Sequence, residues 1–263
     1  MIHVSIVLFN SSFHEIERLV STLRKSQCVQ NIYLVDNSPQ PNALFKSLEA
    51  EYIFNAKNLG YGAAHNIALR KSLENQVDYH LVVNPDITFE PEIFDKIAAF
   101  MNNNATIGHL MPKVFYPNGQ IQYLCKLLPT PFDLIFRRFL PARWTEKQTC
   151  KFEMRNTGYN KIMDVPYLSG CFMFLRVSAL KEIGLFDERF FMYPEDIDLT
   201  RRMHQKFRTV FYPEVSVVHH HAQSSYKNYR MLWIHITNMI KYFNKWGWFF
   251  DTERRKVNDK ILI

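Results

Sequence analysis

The first regular pattern in the chain is Val4-Ser5-Ile6-Val7-Leu8-Phe9-Asn10-Ser11-Ser12, six residues typical of a buried strand followed by three polar ones. Apolar residues then recur at helical spacing, at Ile16, Leu19, Val20 and Leu23. The order is therefore strand, loop and helix.

The same unit repeats along the first part of the chain. Strands are predicted at 32–35, 52–54 and 79–83, and helical stretches at about 43–49 and from the Gly-rich segment 58–66 to about 73. Strands that alternate with helices imply right-handed crossovers and a mainly parallel central sheet with flanking helices. Ligands of such sheets bind beyond the carboxyl ends of the strands, where Asn10, Asp36 and Asp86 lie. The sequence thus predicts a Rossmann-like α/β fold.

The middle of the chain interrupts this regularity. From about residue 126 to 161 the periodicity fades and Pro129, Pro131 and Pro141 stand among basic residues, so we expect a long irregular insertion. Such loops are uncommon unless they are functional. Regular elements are expected again at 167–175, 178–183, 195–206, 209–212 and 215–218.

Composition narrows the class of protein. With 263 residues, of which 47% are hydrophobic and 22% charged, the chain suits one α/β domain or two small ones and is not mainly disordered. No apolar run reaches the roughly 18 residues of a spanning helix, and the first residues lack a basic leader, so we expect a cytoplasmic protein. The net charge of +7 favours an anionic partner such as a nucleotide diphosphate, nucleic acid or acidic lipid.

Two turns beside the predicted strands are candidate ligand-binding loops. Asn84-Pro85-Asp86 places a carboxylate on a rigid turn, from which it can reach a divalent cation. The alternative is an Asx-type turn in which Asp86 bonds its own backbone. Gly60-Tyr61-Gly62 suits close backbone approach to a diphosphate, and a plain turn before a helix is the alternative.

A third candidate is the segment 190–199, in which an aromatic run leads into Glu195 and Asp196. Pro194 followed by acidic residues is typical of a helix start. The functional interpretation is that the apolar wall raises the proton affinity of one acid and makes it a general base.

A fourth candidate is His219-His220-His221, which closes a predicted strand. The outer two share one face of that strand, so His219 and His221 could point to a ligand together. His219 could then complete a metal site with Asp86, and a polar strand end is the alternative.

These features follow one another in a fixed order: Asn10, Asp36, the segment 58–66, Asn84-Pro85-Asp86, Ser169-Gly170, Glu195-Asp196 and His219. In that order the chain resembles the family 2 glycosyltransferases of the GT-A fold, particularly the rhamnosyltransferase-like members that build bacterial O-antigens and other surface polysaccharides. The resemblance spans roughly residues 3–225. It implies a GT-A domain over 1–225, with a donor half at about 1–110 and an acceptor half at about 111–225.

The resemblance also implies a role for each position. Asp36 would bond the pyrimidine base and Asn10 would line the same pocket. The residues expected to pack round the nucleotide and donor sugar are Asn58, Gly60, Tyr61, Gly62, Asn66 and Asn84. Asp86 would hold Mg²⁺ or Mn²⁺ against the diphosphate with His219 as a second metal contact, Ser169 and Gly170 would flank the acceptor, and Asp196, beside Glu195, would be the catalytic base. Asn84 replaces the first Asp of the family's Asp-x-Asp motif, so one strong acidic ligand remains.

The implied reaction is an inverting transfer, most simply of L-rhamnose from its dTDP donor onto a lipid-linked bacterial glycan. A UDP-hexose or UDP-galactofuranose donor is the nearest alternative, and a non-catalytic nucleotide-sugar binder is the alternative of another class. A nucleic-acid partner is disfavoured because it would leave the carboxylates unused.

The residues from 226 to 263 form a distinct basic and aromatic tail. Large apolar residues recur at steps of three and four on one helical stripe: Tyr229, Leu232, Ile236, Met239, Phe243, Trp246 and Phe250. Basic residues fall broadly on the other side, namely Lys227, Arg230, Lys241 and Lys245. This composition suits an anionic membrane surface, which would make the protein peripheral on the inner face of the cell membrane. A helix packed on its own domain, or on a second subunit of a homodimer, is the alternative.

Overall fold

The computed structural model describes residues 1–220 and 229–262. Its strands are β1 (Ile2–Leu8), β2 (Val29–Asp36), β3 (Glu51–Phe54), β4 (Tyr79–Val83), β5 (Ile87–Thr88), β6 (Ile107–Phe115), β7 (Cys125–Lys126), β8 (Met163–Asp164), β9 (Tyr167–Leu168), β10 (Phe172–Arg176) and β11 (Arg208–His219). Its α-helices are α1 (Phe13–Arg24), α2 (Tyr61–Glu74), α3 (Ile93–Asn102), α4 (Pro131–Leu134), α5 (Ala142–Phe152), α6 (Val177–Ile183), α7 (Glu195–His204), α8 (Tyr229–Trp246) and α9 (Thr252–Leu262).

A large mixed sheet has the strand order β3-β2-β1-β4-β10-β6-β11-β5, and β8 pairs with β11. Strands β1 to β4 run parallel, as do β6 and β11, whereas β10 lies antiparallel between β4 and β6. The mainly parallel sheet predicted from the sequence is confirmed, with β10 as an antiparallel strand at its centre.

Helices cover both faces of this sheet, because its strands carry apolar residues on both faces. Val4 and Ile6 of β1 pack in the cluster that includes the buried faces of α1 and α3. On the other face α2, α6 and α7 pack through Leu69, Leu180 and Leu199. Because β1, β2 and β4 are parallel, the loops that follow them lie at one edge of the sheet. Asn10, Asp36 and Asp86 are at this edge, beyond the carboxyl ends of the strands, as predicted.

The segment 126–161 is not an irregular insertion, and that prediction was wrong. It contains α4, which begins with a capping box between Thr130 and Asp133, and the three-turn helix α5. The buried residues of α5 include the polar Thr145, so the inward face of this helix does not appear as an apolar period in the sequence. Phe152 and Tyr159 lie with Phe211 of β11 in one buried cluster, so the segment is an integral layer of the fold.

The tail packs onto the domain instead of presenting its whole stripe to solvent. Met239 and Phe243 are fully buried, and Trp246 packs in the same cluster, so the lipid-facing prediction is wrong for these three residues. Phe250 is 98% exposed and follows the end of α8. Lys245, which belongs to the predicted basic face, forms an ion pair in which its Nζ lies 2.9 Å from Asp187 Oδ2.

Lys227 and His221 lie outside the described residues. The side chains of Tyr229 and Arg230 are likewise outside the description. Within the described ranges, no helix has the length and apolar character needed to cross a membrane.

Candidate active site

The predicted base-binding residue Asp36 lies at the end of β2 and is fully buried. Its Oδ1 accepts from the Ser38 N–H at 2.9 Å, and its Oδ2 accepts from the Tyr52 hydroxyl at 2.7 Å. Burial and the hydrogen bond to Asp36 raise the pKa of Tyr52 to about 12. The sequence marked Tyr52 only as a strand residue, so this partner of Asp36 was missed.

Asn10 lies next to this carboxylate at the end of β1. Its φ of 52° is in the left-handed region, which Asn adopts more readily than most residues. The Asn10 N–H donates to Ser38 Oγ at 2.8 Å, and Ser38 in turn contacts Asp36. Asn10 and Asp36 thus both contact Ser38, and their sharing of one base-binding pocket stays a prediction.

The Gly-rich segment joins the edge of the sheet that contains Asp36 to the aromatic run before α7. Asn58 Oδ1 accepts from the Gly60 N–H at 2.9 Å, and the Tyr61 N–H donates to the Phe191 carbonyl at 2.9 Å. Gly60 has a φ of +86°, and a Cβ built there would lie 2.3 Å from Phe191 O. Only glycine fits this approach. A Cβ on Gly62, in the first turn of α2, would lie 2.9 Å from Phe186 Cβ.

Asn66 is placed differently from the rest of this segment. Its Nδ2 donates to the Phe186 carbonyl at 2.9 Å, and its Oδ1 accepts from the Phe186 N–H at 3.0 Å. Both polar atoms of the Asn66 amide thus bind the backbone of Phe186, in the segment that follows α6. Direct contact of Asn66 with a nucleotide-sugar donor stays a prediction.

Tyr61 connects the donor and acceptor candidates. Its hydroxyl lies 2.7 Å from Gly170 O and 3.0 Å from Asn84 Oδ1. Burial, with nearby acidic groups, holds the pKa of Tyr61 well above its usual range. The phenol is therefore a neutral hydrogen-bond donor between β4 and the loop that contains Ser169 and Gly170.

Asp86 and His219 converge beside Asn84. Asp86 Oδ1 lies 3.3 Å from His219 Nε2, which extends from the end of β11. His219 Nδ1 lies 2.9 Å from Gln122 Oε1, and Gln122 Nε2 donates to the His219 carbonyl at 2.9 Å. Gln122 thus orients the imidazole so that Nε2 faces Asp86. Nothing in the sequence singled out Gln122.

Glu195 and Asp196 begin α7 and are both buried. Asp196 Oδ2 accepts from the Gly170 N–H at 2.8 Å, and its Oδ1 accepts from the Ile197 N–H at 2.7 Å. A Cβ on Gly170 would lie 3.1 Å from Asp196 Cβ, so a glycine permits this close contact. Ser169, which precedes Gly170, is half-buried at the same loop.

The two carboxyl groups differ in their electrostatics. Burial raises the pKa of Asp196 to about 6, against the lowering effects of Lys126 and of the hydrogen bonds from Gly170 and Ile197. Burial and the neighbouring Asp196 hold the pKa of Glu195 well above its usual range, and Glu195 Oε2 has no hydrogen-bond partner among the described residues. Burial and mutual repulsion therefore both favour the uptake of a proton by this pair of carboxyl groups. Neither Lys126 nor its influence on Asp196 was anticipated from the sequence.

Comparison with known proteins decides the family. A sequence model described as Glycosyltransferase like family 2 matches residues 40–239, which is more than half of the chain. The chain belongs to this family. The resemblance to family 2 glycosyltransferases, inferred from the order of the motifs, is thereby confirmed.

Curated relatives of this family 2 protein include transferases from two organisms. The chain is 28% identical over 177 residues to N-acetylglucosaminyl-diphospho-decaprenol L-rhamnosyltransferase of Mycobacterium tuberculosis, covering 64% of this chain and 58% of the relative. It is 26% identical over 205 residues to a low-salt glycan biosynthesis hexosyltransferase of Haloferax volcanii, covering 76% of this chain and 61% of the relative. The chain therefore spans about 58% to 61% of the length of these relatives.

Solved structures share the fold. GalNAc-T7 with UDP, GalNAc and Mn²⁺ superposes with a TM-score of 0.69 at 16% identity, covering 94% of this chain and 48% of that chain. S. aureus TarS superposes with a TM-score of 0.58 at 16% identity, covering 99% of this chain and 42% of that chain. The GT-A fold expected from the motifs is confirmed by these neighbours.

Proposed function

We propose that this family 2 protein is an inverting glycosyltransferase that moves a sugar from a nucleoside-diphosphate donor to a glycan acceptor. The observation that carries the proposal is Asp196, an almost buried carboxylate with a pKa raised to about 6. A chain of hydrogen bonds runs from Asp196 through Gly170 and Tyr61 to Asn84, which lies at the edge of the sheet proposed to bind the donor.

The arrangement suits a single displacement. Asp196 takes the proton of the acceptor hydroxyl, whose oxygen forms the new bond to the anomeric carbon of the donor sugar. The bond from that carbon to the diphosphate breaks on the opposite face, and the nucleoside diphosphate leaves with the electron pair. A base with a pKa near 6 binds a proton more strongly than an ordinary Asp and is still ionised at neutral pH, which favours general-base catalysis.

Asp86 and His219 fit a divalent cation as a pair of ligands. Carboxylate oxygen and imidazole nitrogen are both used by Mn²⁺, and Gln122 fixes the ring nitrogen that faces Asp86. The described residues contain no group of three or more His, Cys, Asp or Glu side chains that could hold a metal. The diphosphate and water would therefore supply the other ligands, and bound Mg²⁺ or Mn²⁺ would offset the negative charge of the leaving diphosphate.

The donor we propose is dTDP-L-rhamnose, and the M. tuberculosis relative, which is named as an L-rhamnosyltransferase, supports it. A UDP-hexose or UDP-galactofuranose is the alternative donor, since the H. volcanii relative is named only as a hexosyltransferase. A non-catalytic binder would need neither Asp196 nor the pair of Asp86 and His219.

For the acceptor we propose a lipid-linked glycan at the inner face of the cell membrane, following the diphospho-decaprenol in the name of the M. tuberculosis relative. Exposed apolar side chains remain on the tail and would meet the interface: Trp233, Ile240, Phe249 and Phe250. Sedimentation with anionic liposomes tests this surface, and a concentration-dependent dimer would assign it to a second subunit instead.

A panel of nucleotide sugars, followed by thermal stability and by transfer, tests the proposed activity. Ligands that bind the folded state raise the melting temperature by mass action. Asp196→Asn should keep the shift given by the preferred donor and lower turnover by about 10² to 10⁴. Asp259→Asn, which changes an exposed carboxylate on α9, is the matched control. Near-normal turnover in Asp196→Asn would remove Asp196 from the mechanism, and donor binding without transfer would favour the non-catalytic binder.

A further inference from the structure

The residue that precedes Pro194 has a strained backbone. Tyr193 has a φ of +87°, whereas the other five non-glycine residues with positive φ among those described have values of 50° to 55°, close to the usual left-handed region. A residue before proline favours extended backbone, which makes this conformation of Tyr193 still less favourable. Such strain persists only where the surrounding structure holds it, and it is concentrated at functional sites. Here it lies two residues before Glu195 and three before Asp196.

One face of α8 holds the segment 187–193, which contains this strained residue. The contacts come from positions 235, 238, 241 and 245, which are spaced by three, three and four residues and therefore share a face of the helix. The Phe191 N–H donates to Asn238 Oδ1 at 3.3 Å, and Asn238 is only 1% exposed. The other contacts join His235 to the Tyr193 ring, Lys241 to the Arg189 carbonyl and Lys245 to the Asp187 carboxylate.

The same segment is bonded to the start of α2. The Phe191 carbonyl accepts from the Tyr61 N–H at 2.9 Å, and the Tyr61 hydroxyl donates to the Gly170 carbonyl at 2.7 Å. The Gly170 N–H in turn donates to Asp196 Oδ2 at 2.8 Å. Phe191 therefore connects Asn238 to Asp196 by two routes, one along the chain through the strained residue and one through these hydrogen bonds.

We propose that Asn238 is a positioning residue for Asp196 and acts by holding Tyr193 in its left-handed conformation. Without the acceptor at Asn238, Phe191 would lose the bond to α8 that opposes relaxation of the strain. A return of Tyr193 to negative φ would redirect the chain where it enters α7, and the Asp196 carboxylate would move away from the Gly170 N–H. This inference rests on the proposed role of Asp196 as the base, and it adds a residue of α8 to those on which the reaction depends.

The pKa of Asp196 reports the position of its carboxyl group without any substrate. Carbon-13 NMR of aspartate-labelled protein measures this pKa, and Asp196→Asn assigns the signal. In the wild type we expect a midpoint of about 6, because the carboxyl group is buried. Asn238→Leu should lower the midpoint by about one pH unit, since burial is the largest cause of the raised pKa and the displaced carboxyl group would meet water. Asn244→Leu, the same change at an exposed position of α8 that contacts Trp248, should leave the midpoint unchanged.

A double-variant cycle tests the part played by Tyr193. Glycine adopts positive φ about as readily as negative φ, so Tyr193→Gly keeps the left-handed turn accessible without an anchor. Combined with Tyr193→Gly, Asn238→Leu should therefore lower the midpoint by less than about 0.3 pH unit. Transfer gives a second measurement, made with the nucleotide sugar that stabilises the protein most. In Asn238→Leu alone, kcat should fall about tenfold while the KM for the donor changes less than about twofold.

Two results would overturn the proposal. An unchanged Asp196 midpoint in Asn238→Leu, or in Asn238→Ala should the Leu variant not fold, shows that α8 does not position this carboxyl group. An equal decrease with and without Tyr193→Gly shows that Asn238 acts independently of the strained residue. The NMR titrations use no substrate, so failure of the positioning role is separable from failure of the proposed transferase function, which absence of transfer by the wild type would show.

Discussion

Replacing Arg201 by methionine tests whether the C-terminal helices α8 and α9 hold α7 in place. Arg201 lies on α7, which begins with Glu195 and Asp196. Its guanidinium donates to both oxygens of Asp251 at 2.8 Å and to Glu253 Oε2 at 2.7 Å. The same group lies 4.1 Å from the centre of the Trp246 ring. A single buried side chain thus ties α7 to α8 and to the start of α9.

The expected loss of stability follows because the carboxylate of Asp251 would stay buried without its partner Arg201. The side chains of Arg201 and Asp251 are 2% and 3% exposed, and removing one partner of a buried ion pair costs about 3–5 kcal/mol. Asp251 would keep the Arg254 N–H at 2.9 Å and the Arg254 guanidinium at 3.8 Å. We therefore expect the free energy of unfolding to fall by about 3 kcal/mol, the lower end of that range.

Urea denaturation followed by tryptophan fluorescence measures this change. Arg208→Met is the control, because Arg208 makes an exposed ion pair with Asp164 and should lose less than about 1 kcal/mol. The double variant Arg201→Met/Asp251→Asn should be more stable than Arg201→Met, since it buries no unpaired charge. A loss below about 1 kcal/mol in Arg201→Met, or no recovery in the double variant, would refute the reasoning.

Four further outcomes are expected. The kcat/KM should rise with pH with a midpoint near 6, because Asp196 accepts a proton only when ionised; a pH–rate profile flat from 5 to 8 would contradict this. Asp86→Ala should weaken donor binding and abolish stimulation by Mg²⁺ or Mn²⁺, and His219→Ala should do so more mildly; full wild-type activity in excess chelator would exclude both roles. Gly60→Ala should cost about 1–3 kcal/mol in denaturant melts, because its backbone conformation is essentially restricted to glycine. Tyr61→Phe should cost about 1–3 kcal/mol by leaving a buried carbonyl without its donor, and unchanged stability would show that the phenol hydrogen bonds contribute nothing.

The sheet and the edge at which its site lies were predictable because their signals are local. A strand such as β1 shows its period within seven residues, and the polar residues Asn10, Asp36 and Asp86 follow strand ends directly. Parallel connectivity then places those ends side by side. The carboxylates at the start of α7 were predictable for the same reason, since an aromatic run, a proline and two acids are adjacent in the chain.

The sequence by itself determined the strands β1 to β4, the helices α1 and α2, the mainly parallel sheet and the candidate carboxylates, since each depends on neighbours within a few residues. It did not show α4 and α5. Tertiary structure alone decided which groups meet across the chain. Gly170 and Asp196 are 26 positions apart, and Gln122 and His219 are 97 positions apart, yet these contacts orient the proposed base and the proposed metal ligand His219. It also decided that Met239 and Phe243 of α8 are buried, because amphipathic spacing gives the face of a helix but not the partner that covers it.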